Sequence, residues 1–425
     1  MKVNKLAAAC MVATASLAQA EVEESIEFHG YFRAGMLADV EDSYTQYDGG
    51  VKKETVGRLG TETDDWWEAE LVKGWNLDDG KWVKIHFRMG SQNMYSNNAE
   101  TMFGQSIDAK ETGLLNSYVE LGMFEDPDTV LWAGQRFYNR DNYSFIADLF
   151  YTDHSGTGIG IQNLKTGGGK MDIAYIASDI TQSNGWTPGD TDAVMHAFHL
   201  GYNTGQWDIE LMAKNYPTNG KTDNTDGTPY TTVGYEATAI YSFDQFYGGS
   251  NGFSKAAIQV GKGLGAGPAL GATVNTYTSY RLGNGPQSLV ERKPGDKSVR
   301  FVTHGGYIGK DFMVFPHLMI QDDSFEGGNG QRWTSLIVRP VVPVTEHFSL
   351  AIEAGIDDLQ TDDDNDANDG KQYKVMFAPT WTVNTTTGPS PEARLFVGYL
   401  GGDEERGMGD NNKGPVVGFQ ADLWW

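Results

Sequence analysis

Most of the familiar chemical constellations fail in this chain on spacing. Residues 165–170, KTGGGK, are glycine-rich and end in lysine, but they lack the GxxxxGK[ST] spacing of a phosphate-cradling loop and read as a turn. The glycines from Gly261 to Gly267 have no βαβ context that would make them a dinucleotide loop. His154-Ser155-Gly156 is not a nucleophile elbow, because G-x-S-x-G is absent. The eight His show no HExxH and no close metal-type pairing, so no metal site and no cofactor is expected. Residues 362–370, DDDNDANDG, place their glycine one position late for an EF-hand. They read as a solvated acidic loop in preference to a weak Ca²⁺ or Mg²⁺ site. Carboxylate pairs that hydrolyse glycosides meet only in space, and 57 acidic residues supply pairs by chance. What survives is a set of aromatic and charged side chains on alternating segments, where residues two apart share one face.

The elements that position them are strands. In 27–36, Phe28, Gly30, Phe32, Ala34 and Met36 take one side, while Glu27, His29, Tyr31 and Arg33 take the other. Val83, Ile85, Phe87 and Met89 alternate with Trp82, Lys84, His86 and Arg88. At the end, Val417, Phe419, Ala421, Leu423 and Trp425 alternate with Gly418, Gln420, Asp422 and Trp424. The pattern recurs at 171–177, 206–214, 299–308, 335–342 and 348–356, and no helix-period segment of useful length interrupts it.

Composition narrows the classes. The 425 residues carry 32 Lys and Arg against 57 Asp and Glu, a net charge of −25, which argues against a nucleic-acid partner. The single Cys rules out a disulfide-stapled scaffold. Residues 1–20 have a lysine-flanked start, a short apolar stretch and Ala18-Gln19-Ala20, and read as a secretory signal peptide. Beyond them no run reaches 18 apolar residues, which excludes a helical membrane protein. The remainder, 21–425, reads as one domain, since no proline-rich linker divides it.

Alternation alone fits either a soluble sandwich or an outer-membrane barrel. Three features favour the barrel: the length, the lack of helices, and a final strand that ends on an aromatic residue. Short polar turns alternate with long polar stretches at 217–230, 281–297, 357–371 and 401–414, as expected of two unlike barrel rims. Eighteen strands allow about 22 residues for each strand plus connection.

Several segments resemble the maltoporins, the maltodextrin channels of the Gram-negative outer membrane. Phe28-His29-Gly30-Tyr31-Phe32-Arg33-Ala34-Gly35 is similar to the family's opening strand. Arg58-Leu59-Gly60, followed by acidic residues and Trp66, is similar to its second strand. Residues 134–140, GQRFYNR, with Asp148, Tyr151, Asp153 and Ser155-Gly156, resemble its inward-folded third loop, and Trp424-Trp425 matches its closing pair. The resemblance implies an all-β, 18-stranded transmembrane antiparallel barrel with an inward constriction loop, assembled as a homotrimer amid outer-membrane lipid and lipopolysaccharide. It implies passive diffusion of maltose and maltodextrins and no catalytic residue. Tyr31, Trp66, Phe253 and Trp424 fall at positions of the family's aromatic slide, and Arg33, Arg58, Glu68, Arg140 and Asp148 at its polar track.

The sequence departs from that pattern in places. Phe150 stands where the family has a constriction Tyr, and Leu115 or Asn116 where it has an Arg ahead of Tyr118. Gly388 stands near an expected Trp, and Tyr95 or Phe103 would be the aromatic offered to a neighbouring subunit. The readings that compete with a maltodextrin channel are a porin for another oligosaccharide such as sucrose, a general diffusion porin, and a secreted all-β carbohydrate-active enzyme.

Overall fold

A computed structural model describes residues 24–41, 51, 53–62, 66–91, 112–179, 194–216, 231–273, 292–326, 330–362, 369–383, 390–406, 408 and 412–425. The expected leader, Tyr95, Phe103, Gly388 and the acidic run 363–368 lie outside them.

Strands form where the period-2 pattern predicts them. In chain order they are β1 (Ile26–Asp39), β2 (Trp66–Asn76), β3 (Trp82–Ser91), β4 (Thr112–Gly122), β5 (Val130–Arg136), β6 (Tyr143–Ser144), β7 (Leu149–Phe150), β8 (Gly156–Thr166), β9 (Gly169–Asp179) and β10 (Val194–Asn203). They continue as β11 (Trp207–Asn215), β12 (Val233–Phe243), β13 (Gly252–Gly263), β14 (Lys297–Ile308), β15 (Met313–Ser324), β16 (Gln331–Pro343), β17 (Phe348–Thr361), β18 (Gly370–Thr382), β19 (Ser390–Gly402) and β20 (Gly414–Trp424).

Among the described residues, all but β6 and β7 join one 18-stranded antiparallel sheet. The sheet closes because β1 pairs with β2 on one side and β20 on the other. Closure leaves no edge of unpaired N–H and C=O groups, the condition for crossing hydrocarbon with strands. The seam is zipped by Gly30 N–H to Trp425 O at 3.0 Å and Trp425 N–H to Gly30 O at 3.1 Å. Gly30 is required there: a Cβ would stand 2.2 Å from the Trp425 ring. Among the described residues no helix is long and apolar enough to cross a membrane.

The two faces separate as the alternation predicts. Phe28, Leu71, Ile258, Val375 and Val397 are exposed on the outside. Trp425 stays on this side, tilted against Phe28 with ring centroids 5.5 Å apart. The inner face carries buried Gln259, Arg300, Glu353 and Lys374. A soluble protein would have these faces exchanged; here the greasy side is the solvent-accessible one, as lipid requires.

Among the described residues, three connections fold into the barrel. The first, with the four-residue helix α1 (Lys53–Val56), is held by Lys374. Its Nζ donates to Leu59 O at 2.9 Å and to Gly57 O while pairing with Glu353 Oε1 at 2.8 Å. The second, between β5 and β8, contains the β6–β7 hairpin and crosses the lumen. Its Ile146, Leu149 and Tyr151 pack against Ile240, Val302, Met319 and Trp333 of the far wall. Each such aliphatic side chain taken from water stabilises the docking by about 1.5–3 kcal/mol. The third follows β13. Lys214 donates to Ala269 O at 2.9 Å and Arg300 to Leu270 O at 3.1 Å, while Gly271 N–H donates to Glu236 at 2.8 Å.

Candidate functional site

The opening and closing strands put the predicted aromatics in one sector of the lumen. Antiparallel partners share a face, and two adjacent rows result. In one, Trp424, Tyr31 and Glu68 lie side by side on β20, β1 and β2; in the other, Asp422, Arg33 and Trp66 do. The Tyr31 hydroxyl donates to Asp422 Oδ1 at 2.8 Å, and Trp66 Nε1 donates to Glu68 Oε1 at 2.9 Å. Arg88 of β3 donates to the other Glu68 oxygen at 2.9 Å. Tyr31 and Trp66 are thus each oriented by a charged neighbour.

Arg33 reaches inward to a group that sequence reasoning missed. Glu62, at the end of the first inward segment, accepts from Arg33 Nη1 at 2.7 Å, Arg58 Nε at 2.8 Å and Lys53 Nζ at 3.0 Å. Burial pushes the Glu62 carboxyl up. Arg33, Arg58 and Lys53 overcome that and hold it at about 2. Arg58 also donates to the Tyr143 hydroxyl at 2.9 Å, which donates to Asp148 Oδ1 at 2.9 Å; Lys53 pairs with Asp148 as well. Burial likewise opposes ionisation of Asp148, and Lys53, Arg58 and Arg33 bring it well below the usual carboxylate range. Backbone ties the same pieces together, since Arg58 N–H donates to Ile146 O at 2.8 Å. The signal that could have exposed Glu62 was its place four residues after Arg58.

A second series runs along the crossing loop. The Arg140 guanidinium lies 4.1 Å from the ring centroids of both Phe137 and Phe150. Phe150 stacks on Tyr143 at 4.4 Å, and Arg88 approaches the other side of Phe137 at 5.5 Å. Cations and rings therefore alternate from β3 to the hairpin, each arginine attracted by the ring quadrupole. Arg140 Nε also pairs with Asp153 Oδ2 at 3.2 Å. Asp148 closes the hairpin in a left-handed conformation, φ 47°, which an aspartate tolerates.

Tyr31, Arg33, Trp66, Glu68 and Trp424 thus share one patch, and Arg58, Arg140, Asp148 and Phe150 gather around the crossing loop. Phe253 stands apart. It faces Gly306 on β14, and its ring neighbour is His304, centroids 6.5 Å apart. Asn116, one of the two residues near the expected arginine, is buried and accepts from Phe137 N–H at 2.7 Å, so it supports the loop's start.

The LamB porin family model matches residues 26–425. The chain belongs to the LamB porin family. Maltoporins from an El Tor and a Classical strain of Vibrio cholerae serotype O1 are each 27% identical over 468 residues, covering all of this chain and 100% and 99% of theirs. The crystal structure of Acinetobacter baumannii OccAB1 has a TM-score of 0.52 at 11% identity, covering 96% of this chain and 98% of that one, a likeness of fold alone. As a LamB-family barrel this protein is an outer-membrane sugar porin in the broad sense, a channel and not an enzyme.

Proposed function

We propose that this porin passes maltose and maltodextrins by facilitated diffusion. The observation that carries the reading is the pair of lumen rows in which Tyr31, Trp424 and Trp66 alternate with Arg33, Asp422 and Glu68. A glucose ring has flat C–H patches with hydroxyls at its rim. An aromatic face sheds water from such a patch at roughly 25 cal/mol per Å². That contact has no direction, so a sugar chain can slide from one ring to the next. Phe253 and Phe150 would extend the ladder away from the Trp66 patch. Arg33, Arg58, Glu68, Arg140 and Asp148 exchange charge-assisted hydrogen bonds with successive hydroxyls. Several modest sites in line allow both entry and exit, which one tight pocket would prevent. The same proposal includes removal of residues 1–20 on export, assembly as a homotrimer, and contact with lipopolysaccharide.

A narrower alternative within the class is a channel for a different oligosaccharide such as sucrose. It is favoured by Phe150, which offers no hydroxyl where it sits between Arg140 and Tyr143. Planar-bilayer recording with graded maltooligosaccharides separates the two. Concentration-dependent current block by maltohexaose and not by sucrose is expected. Block by sucrose alone moves the substrate to the alternative, and block by neither leaves a general diffusion pore.

A further inference from the structure

The side of the crossing loop opposite Glu62 holds donors that sugar passage does not use. His154 on the loop's return, His199 on β10 and Glu210 on β11 each bring one ligand atom within 4.8 Å of the others. All three are buried, at 2%, 3% and 5% exposure. His199 Nε2 meets Glu210 Oε2 in a short contact. The two imidazoles lie with centroids 4.5 Å apart.

The surroundings are those of a metal site. The second nitrogen of each ring is engaged: the Tyr138 hydroxyl lies 3.0 Å from His199 Nδ1, and the Asn139 side-chain amide lies 2.9 Å from His154 Nδ1. Nε2 of His199 thus faces Glu210, and Nε2 of His154 is freed for a ligand role when the Asn139 amide turns its oxygen to accept Nδ1–H; each ring is then held from behind, as metal-bound imidazoles commonly are. Charge favours a cation. Asp172 and Asp208 act on His199, and Asp172 and Asp141 on Glu210. Lys214 acts on His154 but is itself paired with Glu236. There is also room. Gly201 lies between Asp172 and Glu210 in the sheet, and a Cβ on it would come within 3.2 Å of Glu210 Oε2 and of His199 Cε1.

We infer that His154, His199 and Glu210 bind one divalent transition-metal ion of the zinc class, with water as the fourth ligand, and that the ion ties the constriction loop to the barrel wall. Two imidazole nitrogens and one carboxylate suit zinc and its neighbours, and they are a poor set for Mg²⁺ or Ca²⁺. Bonds of about 2.0–2.2 Å put the donor atoms about 3.3 Å apart, so His154 draws in while the His199–Glu210 pair opens, a movement of side-chain scale. The ion takes the place of the proton that the Glu210 carboxyl holds toward His199 Nε2; that proton leaves to solvent, and His199 keeps its own on Nδ1, toward the Tyr138 oxygen. Linear spacing could not expose the site, because its ligands come from a loop and two strands that only the barrel brings together.

The test uses the purified full-length protein in detergent, stripped with chelator and titrated with Zn²⁺ in equilibrium dialysis and with Co²⁺ by visible absorption. One ion per chain is expected, with the absorption of a four- or five-coordinate Co²⁺ centre. His154→Ala and Glu210→Gln should each weaken Zn²⁺ binding at least 100-fold. Tyr138→Phe, which removes only the group behind His199, should weaken it about 10-fold. Anomalous migration of the unheated protein shows that each variant keeps its barrel. Absence of saturable uptake by the unaltered protein, or equal uptake by the variants that fold, overturns the inference.

Discussion

The two flanks of the crossing loop are built from the same kind of strand and carry opposite surpluses of charge. On the β1–β2 flank, Arg33, Arg58 and Lys53 surround Glu62, and Lys53 also pairs with Asp148. On the β10–β11 flank, Asp172, Asp208 and Glu210 gather around His199, and the basic group acting on Asp208 is Lys255. The first flank is closed by its own ion pairs, which dock the loop and still present arginines to passing hydroxyls. Among the described residues the second has no arginine partner of that kind, and the proposed cation would balance it. A buried charge is tolerated when it is paired, and the two flanks meet that condition by different means.

The largest way to break this comparison is to remove the hub of the first flank. Glu62→Ala leaves Arg33, Arg58 and Lys53 without their common carboxylate. It should destabilise the folded barrel by about 3–5 kcal/mol, read as a lower denaturant midpoint. Asp208→Ala on the other flank removes one of several like charges and should cost about 1 kcal/mol. Equal losses would mean that the flanks do not differ in the way described.

Acid should act selectively on the Glu62 flank. The folded carboxyl of Glu62 sits at about 2, below its ordinary 4.5. Its contribution is therefore fully present above about pH 4.5 and fades as the pH falls toward 2, and Asp148 works in the same direction. The denaturant midpoint should hold from pH 7 to 5 and then decline, and Glu62→Gln should flatten the decline. Parallel curves for the two proteins would assign the acid sensitivity to other groups.

The smallest effects concern the sugar. Trp66→Ala and Tyr31→Ala should each weaken maltohexaose block by about 5- to 30-fold, the equivalent of one or two kcal/mol. Ion conductance should stay level or rise. Asp208→Asn should leave the block unchanged, since its flank is not part of the aromatic patch. Unchanged block in both aromatic variants would show that these rings do not hold the sugar.

Much of the architecture was legible because strand faces follow a local rule. A period of two assigns every side chain once one is placed, so Tyr31, Arg33 and Trp424 could be set on the polar face and Trp425 on the apolar face from spacing alone, while lipid against the apolar face followed from the barrel. Arg58, Arg140 and Asp148 were also located as residues, but their partners were not. Lys53, Glu62 and Tyr143 lie in connections with no period to read, and their meeting depends on how far each connection turns into the lumen.

The amino-acid order by itself determined which side chains share a strand face, since that follows from alternation between near neighbours along an extended chain; chain length, the lack of helix-period segments and the resemblance at the termini and the loop pointed to the barrel, and the resemblance marked the aromatic positions. The tertiary structure alone decided which charges meet inside the lumen: Glu62 with its three cations, Lys374 with Glu353, and His154 with His199 and Glu210. Those contacts join different strands and connections, and only closure of the sheet and infolding of its loops fix the distances between them.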